Sequence, residues 1–444
     1  MYRSKSLFSF DVLSYSMIIN ALCKIFSMLF SFLYIPLVIS VLGDEKYGVW
    51  VVFLNIISWI AAFDAGVGSG LRNKLTESLS LAEKKKCREL VSSAYAIISI
   101  IISFALVIAI IISALIDWNK LLNTSQSFEH LNLVVIICLI CFSINLILSL
   151  CNSVLYALQL SHMVSVIGVI TQALNYFAVC ILAKYEIDDL LIISLIYGGI
   201  TLFVGFSASV ILYYNRSDLR PSLKCISFET GKSITSIGFG FFFIQISALI
   251  LFSTDNLIVS NLFGAEKVTP YSLVNKVYTT VILFHSALIT PFWSASTNAK
   301  TLKNFYELKK MIKFLFLFLL PFVIFSIIVS FFFRDLVKLW IGENINFSVD
   351  IIICGCIYCI IYLWCNTIGI IASGLGIVKS FSIVAIIQAV VNIPLSLFFA
   401  IVMGLETTGV LIGTILAMVI SAVTIPIVVF KDINKMERND IINS

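Results

Sequence analysis

Twelve apolar stretches follow one another along this 444-residue chain, separated by short polar breaks. They cover residues 14–42, 47–70, 91–116, 131–157, 162–183 and 190–213, then 234–263, 270–298, 314–333, 350–373, 380–403 and 407–430. A helix that crosses a bilayer needs roughly 20 such residues. Barrel strands would instead alternate apolar and polar side chains over about ten residues, and the long continuous runs here do not. The pattern therefore predicts an all-α integral membrane protein of about 12 transmembrane helices. Composition agrees, since 60% of the residues are hydrophobic and 12% charged, with a mean hydropathy of +1.07. Soluble domains carry about 25% charged residues, so this chain lacks the polar surface that water requires. The first sixteen residues hold no compact apolar core followed by a small-residue cleavage site, and the first span is expected to act as an uncleaved signal.

The placement of charge then sets orientation. With the N-terminus inside, the inner segments hold 21 Lys and Arg, the outer loops hold six, and Lys24 and Lys276 lie within spans. By the positive-inside rule both termini are cytoplasmic. The inner loops are too short to form a domain, so they read as topology determinants resting against anionic lipid. Neither nucleic acid nor a soluble partner is indicated. The eleven cysteines fall mostly inside apolar runs. Cys138 with Cys141, and Cys356 with Cys359, have metal-like spacing but no histidine nearby, and read as small buried hydrophobes.

One stretch organises the rest. Residues 39–76 turn at Gly43-Asp44, run back through about twenty apolar residues carrying Asp64, and end in Gly66, Gly68 and Gly70 before Arg72 and Lys74. The glycines fail a nucleotide-binding fingerprint, because position 71 is Leu71 and no strand precedes them. They suit close packing or a bend at the end of the second span. Part of this hairpin recurs. Ser40-Val41-Leu42-Gly43-Asp44-Glu45-Lys46 resembles Ser260-Asn261-Leu262-Phe263-Gly264-Ala265-Glu266-Lys267 at an offset of 220–221, and Arg88-Glu89-Leu90 resembles Tyr306-Glu307-Leu308 at 218. Two similar offsets point to an internal repeat. The expected layout is an N-terminal six-helix bundle over 1–215, a cytoplasmic linker over 216–232 and a C-terminal six-helix bundle over 233–444. Six spans per half keeps the halves in the same orientation, a parallel pseudo-repeat around a central cavity.

Charges within the bilayer cost about 2.5–3.5 kcal/mol each on insertion scales, so each needs a partner or a task. Lys24 lies near the middle of the first span, Asp64 on the second, Asp255 on the seventh and Lys276 on the eighth. Asp64 has two readings: a brace with Lys24 or an acid that couples transport to an ion gradient through its changing environment. The brace is the favoured one. Asp255 and Lys276 flank the Gly264 turn at similar depth and are expected to pair. Lys24, if it faces a cavity, offers a point charge for a phosphate. Arg72 at the inner mouth is a second phosphate candidate, with topology anchoring as its competing role. His285, alone on an apolar helix, is a candidate proton relay, with a hydrogen-bonded core residue as the plainer reading. His130 and His162 lie near span ends, and three scattered histidines give no metal-binding spacing. Asn145, Asn152, Gln172, Asn175, Gln388 and Asn392 are among many neutral polar residues within spans. A cavity lined by them and by Tyr and Trp rings suits a sugar better than an apolar drug.

The motif LGDEKYGVW (42–50), with a following span that ends FDAGVGSGLRNKLTE (63–77), resembles the first hairpin of Wzx-type O-antigen flippases. These are polysaccharide transporters of the MOP superfamily, which also holds the MATE exporters. STDNLIVSNLFGAEKVTPYSLVNKVY (253–278) is similar to their pattern around spans 7 and 8. The resemblance implies a transporter, not an enzyme, in the bacterial inner membrane. It implies a MATE-like fold and a cargo of oligosaccharide linked through diphosphate to undecaprenol, flipped by alternating access. It also implies H+ or Na+ coupling with no other cofactor, and dealings with membrane lipid and other polysaccharide assembly proteins. Lys24, Arg72 and Lys276 are then the phosphate-binding candidates, with Asp64 and Asp255 as coupling or cavity acids. Competing expectations are a drug–cation antiporter of the same superfamily, a peptidoglycan-precursor flippase, and a membrane polymerase or ligase. The last would need a long outer loop with catalytic residues, whereas the loop near 334–349 carries only Arg334 and Lys338 as basic residues.

Overall fold

The computed structural model describes residues 10–61, 66–116, 118, 131–341 and 347–443. Asp64 and His130 lie outside them, and the side chain of Asn55 is likewise outside the description. The described chain divides into two compact units, Met1–Phe239 and Gly240–Ser444. Eleven of its helical segments are long and apolar enough to cross a membrane, as expected of a multi-pass membrane protein. The twelfth predicted span, 47–70, runs through undescribed residues.

The first unit holds α1 (Phe10–Ala61), α2 (Val67–Ser80), α3 (Lys84–Leu115), α4 (Leu131–Leu148), α5 (Leu150–Ala157), α6 (Ser161–Lys184) and α7 (Leu190–Asn215). Short 3-10 turns at Ser217–Leu219 and Leu223–Cys225 lead into α8 (Phe228–Phe263), in which the unit boundary falls. The second unit continues with α9 (Ala265–Ile289), α10 (Pro291–Thr301), α11 (Phe305–Phe331), α12 (Phe333–Ile341), α13 (Val349–Gly374), α14 (Val378–Leu397) and α15 (Glu406–Asn443). In the first unit α1 packs along α6, α4 along α7, and α3 against α2 and α4. In the second, α13 is the hub for α9, α10, α11 and α15, and α14 pairs with α15.

The repeat is written in the backbone. Gly43 turns the first hairpin at φ 73° and ψ 168°, and Gly264 turns its counterpart, 221 positions on, at φ 84° and ψ 163°. That region is essentially open to glycine alone. Ala82 and Lys303, again 221 apart, both have positive φ, as do Gln159 and Gly376, 217 apart. An ion pair repeats as well. Lys46 Nζ binds Asp188 Oδ2 at 2.7 Å, and Lys267 Nζ binds Glu406 Oε2 at 2.9 Å, each tying a hairpin turn to a later turn of its own unit. The Lys46 ammonium holds the Asp188 carboxyl below the usual carboxylate range.

Glycine sets the spacing where helices meet. A Cβ on Gly413 of α15 would lie 2.4 Å from the Ser396 backbone nitrogen and 2.5 Å from its Cα in α14, whereas one on Gly199 of α7 meets nothing within 4 Å. Gly413→Ala should therefore force the two helices apart and cost about 1–3 kcal/mol, the usual penalty of overpacking. Gly199→Ala should be neutral or slightly stabilising. Thermal unfolding of the two variants in detergent checks this; equal melting temperatures would contradict the packing argument.

Candidate functional site

Four helices of the first unit and both arms of its hairpin surround a cavity of about 640 Å³. The break between α4 and α5 at Ser149, whose Oγ donates to Leu146 O at 2.7 Å, leaves Asn145, Ser149 and Asn152 lining one wall. Their spacing of four and three residues puts them on a single helix face. Thr171, Gln172 and Asn175 of α6 supply the facing wall, and Tyr34, Tyr47, Trp50 and Tyr197 contribute aromatic rings. Trp50 and Tyr197 meet edge to face at 5.3 Å, which fixes both planes. Gly168 also lines the cavity, and a Cβ there would meet nothing within 4 Å. None of the described lining residues is Asp, Glu, Lys, Arg or His. They offer neutral donors, acceptors and ring faces. The Tyr34 hydroxyl and the Trp50 indole N–H are buried without hydrogen-bond partners among the described residues.

The second unit contains the same site in altered form. Its cavity of about 250 Å³ is lined by Tyr362, Asn366, Gly369, Phe381, Ala385 and Gln388, among others. Each lies 217 positions after a lining residue of the first cavity: Asn145, Ser149, Asn152, Val164, Gly168 and Thr171. Tyr362 in place of Asn145 and Phe381 in place of Val164 fill space. Asp255 and Tyr271, 221 positions after Tyr34 and Trp50, together with Thr414, 217 after Tyr197, close onto one another. Tyr271 Oη donates to Asp255 Oδ2 at 2.9 Å, and Thr414 Oγ1 donates to the same oxygen at 2.8 Å. Asn392 Nδ2 donates to Thr414 Oγ1 at 2.9 Å. Ser396 Oγ lies 3.4 Å from Asn392 Oδ1 and 3.2 Å from Val410 O. Asp255 is 3% exposed, and its Oδ1 has no hydrogen-bond partner among the described residues. The α8 carboxylate thus sits among amide, hydroxyl and carbonyl oxygens drawn from α9, α14 and α15.

The residues singled out from sequence do not converge. Lys24 is half-buried in the middle of an apolar helix and forms no ion pair among the described residues. The brace expected between it and Asp64 lies outside those residues. Arg72 is buried, with its guanidinium 4.6 Å above the Tyr156 ring. It therefore bolts α2 to α5 and is not exposed for a phosphate. The expected Asp255–Lys276 pair does not form: Asp255 turns to Tyr271 and Thr414, while Lys276 is exposed. Similar depth on two helices does not bring side chains together when they project from different faces. His285 is fully buried against the Phe318 and Phe322 rings, with neither ring nitrogen bonded. It is a core residue, as the plainer expectation had it, but lacks the expected hydrogen bond and the neighbours a relay needs. His162, which looked unremarkable, takes part in a buried polar seam: Ser16 Oγ is 3.0 Å from its Nδ1, and Asn20 joins Ser161 and Ser165 beside it. Tyr34, Trp50, Tyr197 and Thr414 were missed as individuals. The repeat offset, applied to Asp255, would have led to Tyr34.

Residues 14–294 match the family model described as "Polysaccharide biosynthesis protein". A protein of Salmonella typhimurium named "Putative O-antigen transporter" is 23% identical over 86% of this chain and 88% of its own length. One of Yersinia pseudotuberculosis named "Putative O-antigen export protein" is 25% identical over 90% and 91%. Among solved structures, an outward-facing multidrug resistance MATE family transporter of the MOP superfamily superposes with a TM-score of 0.78. Its identity is 16%, and the match covers 99% of both chains. The fold is thus that of the MATE transporters.

The Asp255 network makes a direct prediction. Tyr271→Phe and Thr414→Val each remove one donor from the same buried oxygen and should each cost about 1–3 kcal/mol. The double variant should depart from additivity by at least about 0.5 kcal/mol. A double-mutant cycle on thermal unfolding reads this out, and strict additivity would mean that the two hydroxyls do not share Asp255.

Proposed function

The chain belongs to the polysaccharide biosynthesis protein family, and from that membership we propose that it flips oligosaccharides linked through diphosphate to undecaprenol from the inner to the outer leaflet by alternating access. The observation that carries this reading is the first-unit cavity, large, neutral, rich in amides and hydroxyls, and walled with aromatic rings. Sugar hydroxyls need paired donors and acceptors, and sugar rings pack on aromatic faces. Its volume falls within the range of about 300–1,000 Å³ common for small-molecule sites, enough for part of an oligosaccharide. A drug–cation antiporter would want an acid in that wall, and the described lining residues include none. The relatives named as O-antigen transporters support the same cargo. In this reading the protein lies in the bacterial inner membrane with both termini in the cytoplasm, delivering its cargo to outer-leaflet assembly proteins.

Phosphate requires charge, and Lys24 is placed to supply it. It is seven residues before Ser31 of the cavity wall on the same helix, roughly 10 Å of rise. Asp255 is the residue for ion coupling. Its free Oδ1 lies in a network with the Asn392, Ser396, Thr414 and Val410 oxygens, a donor set suited to a proton or a hard monovalent cation. Binding there would rearrange the Tyr271 and Thr414 bonds and so link ion occupancy to the packing of α8 on α15.

Two experiments test these roles. Gly168→Phe fills open space in the cavity and should lower export roughly tenfold, equivalent to about 1.4 kcal/mol of substrate binding, with the protein still present in the membrane. Lys24→Ala should act in the same direction. Lipopolysaccharide ladders, with the pool of lipid-linked repeat units, read both, and normal ladders from both variants would defeat the proposal. Asp255→Asn should abolish stimulation of flipping by imposed pH or sodium gradients in proteoliposomes while basal exchange continues. Gradient dependence identical to that of the unsubstituted protein would remove Asp255 from coupling.

A further inference from the structure

Between the last membrane-length helix of the first unit, ending at Asn215, and the next, starting at Phe228, lie twelve residues, 216–227. The connector is not loose. Arg88 Nε donates to Arg220 O at 3.0 Å, Ser222 N to Ser92 Oγ at 3.0 Å and Ser227 N to Ser93 Oγ at 3.0 Å, so the first turns of α3 hold it at three points. Leu219 plugs into the core at 1% exposure. With its backbone fixed in this way, the connector turns Leu223 outward at 88% exposure, and Tyr214 and Phe228, on the helix ends that flank it, stand out at 86% and 87%. Burying them inward would have been easy for so short a segment already in contact with the core. A soluble surface would leave such a cluster at a cost of roughly 1.5–3 kcal/mol of unrealised burial per side chain, and exposed apolar clusters of this kind mark interaction sites.

Two further observations name the occupant. Arg220, Lys224 and Lys232 are exposed among these apolar groups, and Lys84, Lys85 and Lys86 are exposed at the start of α3, which holds the connector. Of the acids near them, Asp218 is engaged by Arg216 through two bonds of 2.9 Å and Glu83 by Lys86 at 3.2 Å, so the exposed Arg220, Lys224, Lys232, Lys84 and Lys85 outnumber the remaining Glu89 and Glu229. The segment is also continuous at both ends with helices that cross a membrane, so its distance from the headgroups is at most a few residues. We infer that the 214–232 connector is a membrane-surface anchor, inserting Leu223 and Phe228 among lipid chains while Arg220, Lys224 and Lys232 bind anionic headgroups. Apolar side chains beside lysines and arginines are what an anionic interface selects. Because α3 holds the connector, the anchor would fix the first unit's height in the bilayer. This inference does not depend on the identity of the cargo.

The test uses the full chain in lipid nanodiscs. Leu223→Trp adds a reporter, and subtraction of the unsubstituted protein removes the emission of the six native tryptophans. Phe228→Trp provides a second site should the first variant fold poorly. With brominated phosphatidylglycerol the added emission should be mostly lost to quenching, with brominated phosphatidylcholine much less. Combining Leu223→Trp with Arg220→Gln, Lys224→Gln and Lys232→Gln should reduce quenching in the anionic bilayer to the level in the neutral one. Unquenched, water-like emission in anionic nanodiscs would overturn the inference, as would quenching indifferent to lipid charge. A reporter shielded only in native membrane vesicles would overturn it too, and would assign the surface to a soluble protein.

Discussion

A bilayer gives the peptide backbone nothing to hydrogen-bond with, and every other feature of this chain is arranged around that constraint. Helices answer it along their length, so the difficulty concentrates wherever a helix must stop or bend. The break between α9 and α10 shows how it is met: Thr290 Oγ1 donates to Ser286 O at 2.7 Å, and Pro291, which has no N–H to satisfy, begins the next helix. Serine and threonine hydroxyls bonded to carbonyls four residues back recur through both units, as at Thr201, Ser209, Thr367 and Thr424. They satisfy their own polarity without a partner helix. With hydrocarbon unable to drive helices together, close approach of backbones must do so, and Gly374 against the Trp293 carbonyl and Gly413 against Ser396 provide it.

Both units solve that problem with the same sequence of turns, and what differs between them is the chemistry placed on the solution. In the first, Trp50 and Tyr197 meet edge to face, and with Tyr34 they line a cavity that stays open. In the second, the corresponding Asp255, Tyr271 and Thr414 draw together through one carboxylate oxygen. A carboxylate taken out of water loses more solvation than a phenol, and it recovers that loss only by gathering donors. The exchange of Tyr34 for Asp255 is therefore enough in itself to favour a closed site over an open one, and Tyr362 and Phe381 occupy much of what remains.

Much of this architecture was legible in sequence because lipid-length apolar runs are a one-dimensional signal. The hairpin repeat was legible because Gly43 and Gly264 are required by their backbone angles. The second sequence match was placed three residues off. The caps of α3 and α11, Glu83 at φ −81° and ψ 71° and Asn304 at φ −85° and ψ 72°, lie 221 apart and align Arg88 with Lys309 in place of Tyr306. A slip of three residues nearly preserves a helix face, so the pattern alone could not detect it. The site was less legible for a related reason. Depth in the membrane can be counted along a chain, but the rotation of each helix cannot. Asp255 and Lys276 share a depth without sharing a face. Arg72 seemed to be at a mouth, and its α2 in fact packs on α5. Cavity residues such as Asn145, Gln172 and Asn175 were noticed as polar, without any sign that they line one space.

That space bears on how a charged lipid-linked cargo can be handled at all. A cavity lined with cations would hold diphosphate strongly in every state, and a transporter gains nothing from binding its cargo equally well throughout the cycle. In the proposed function the charge and the sugar surface are separated: the described amides and rings of the first-unit wall carry no formal charge, and Lys24, without an ion-pair partner among the described residues, sits two helical turns away on the same helix. Neutral hydrogen bonds to sugar are individually modest, about 0.5–1.5 kcal/mol net, and can be exchanged for water one at a time. In the same proposal, a single lysine whose surroundings change through the cycle would hold and then release the diphosphate. Affinity that must be given up at the far side is best built from such parts, and Asp255, the buried carboxylate among the described residues, lies in the other unit.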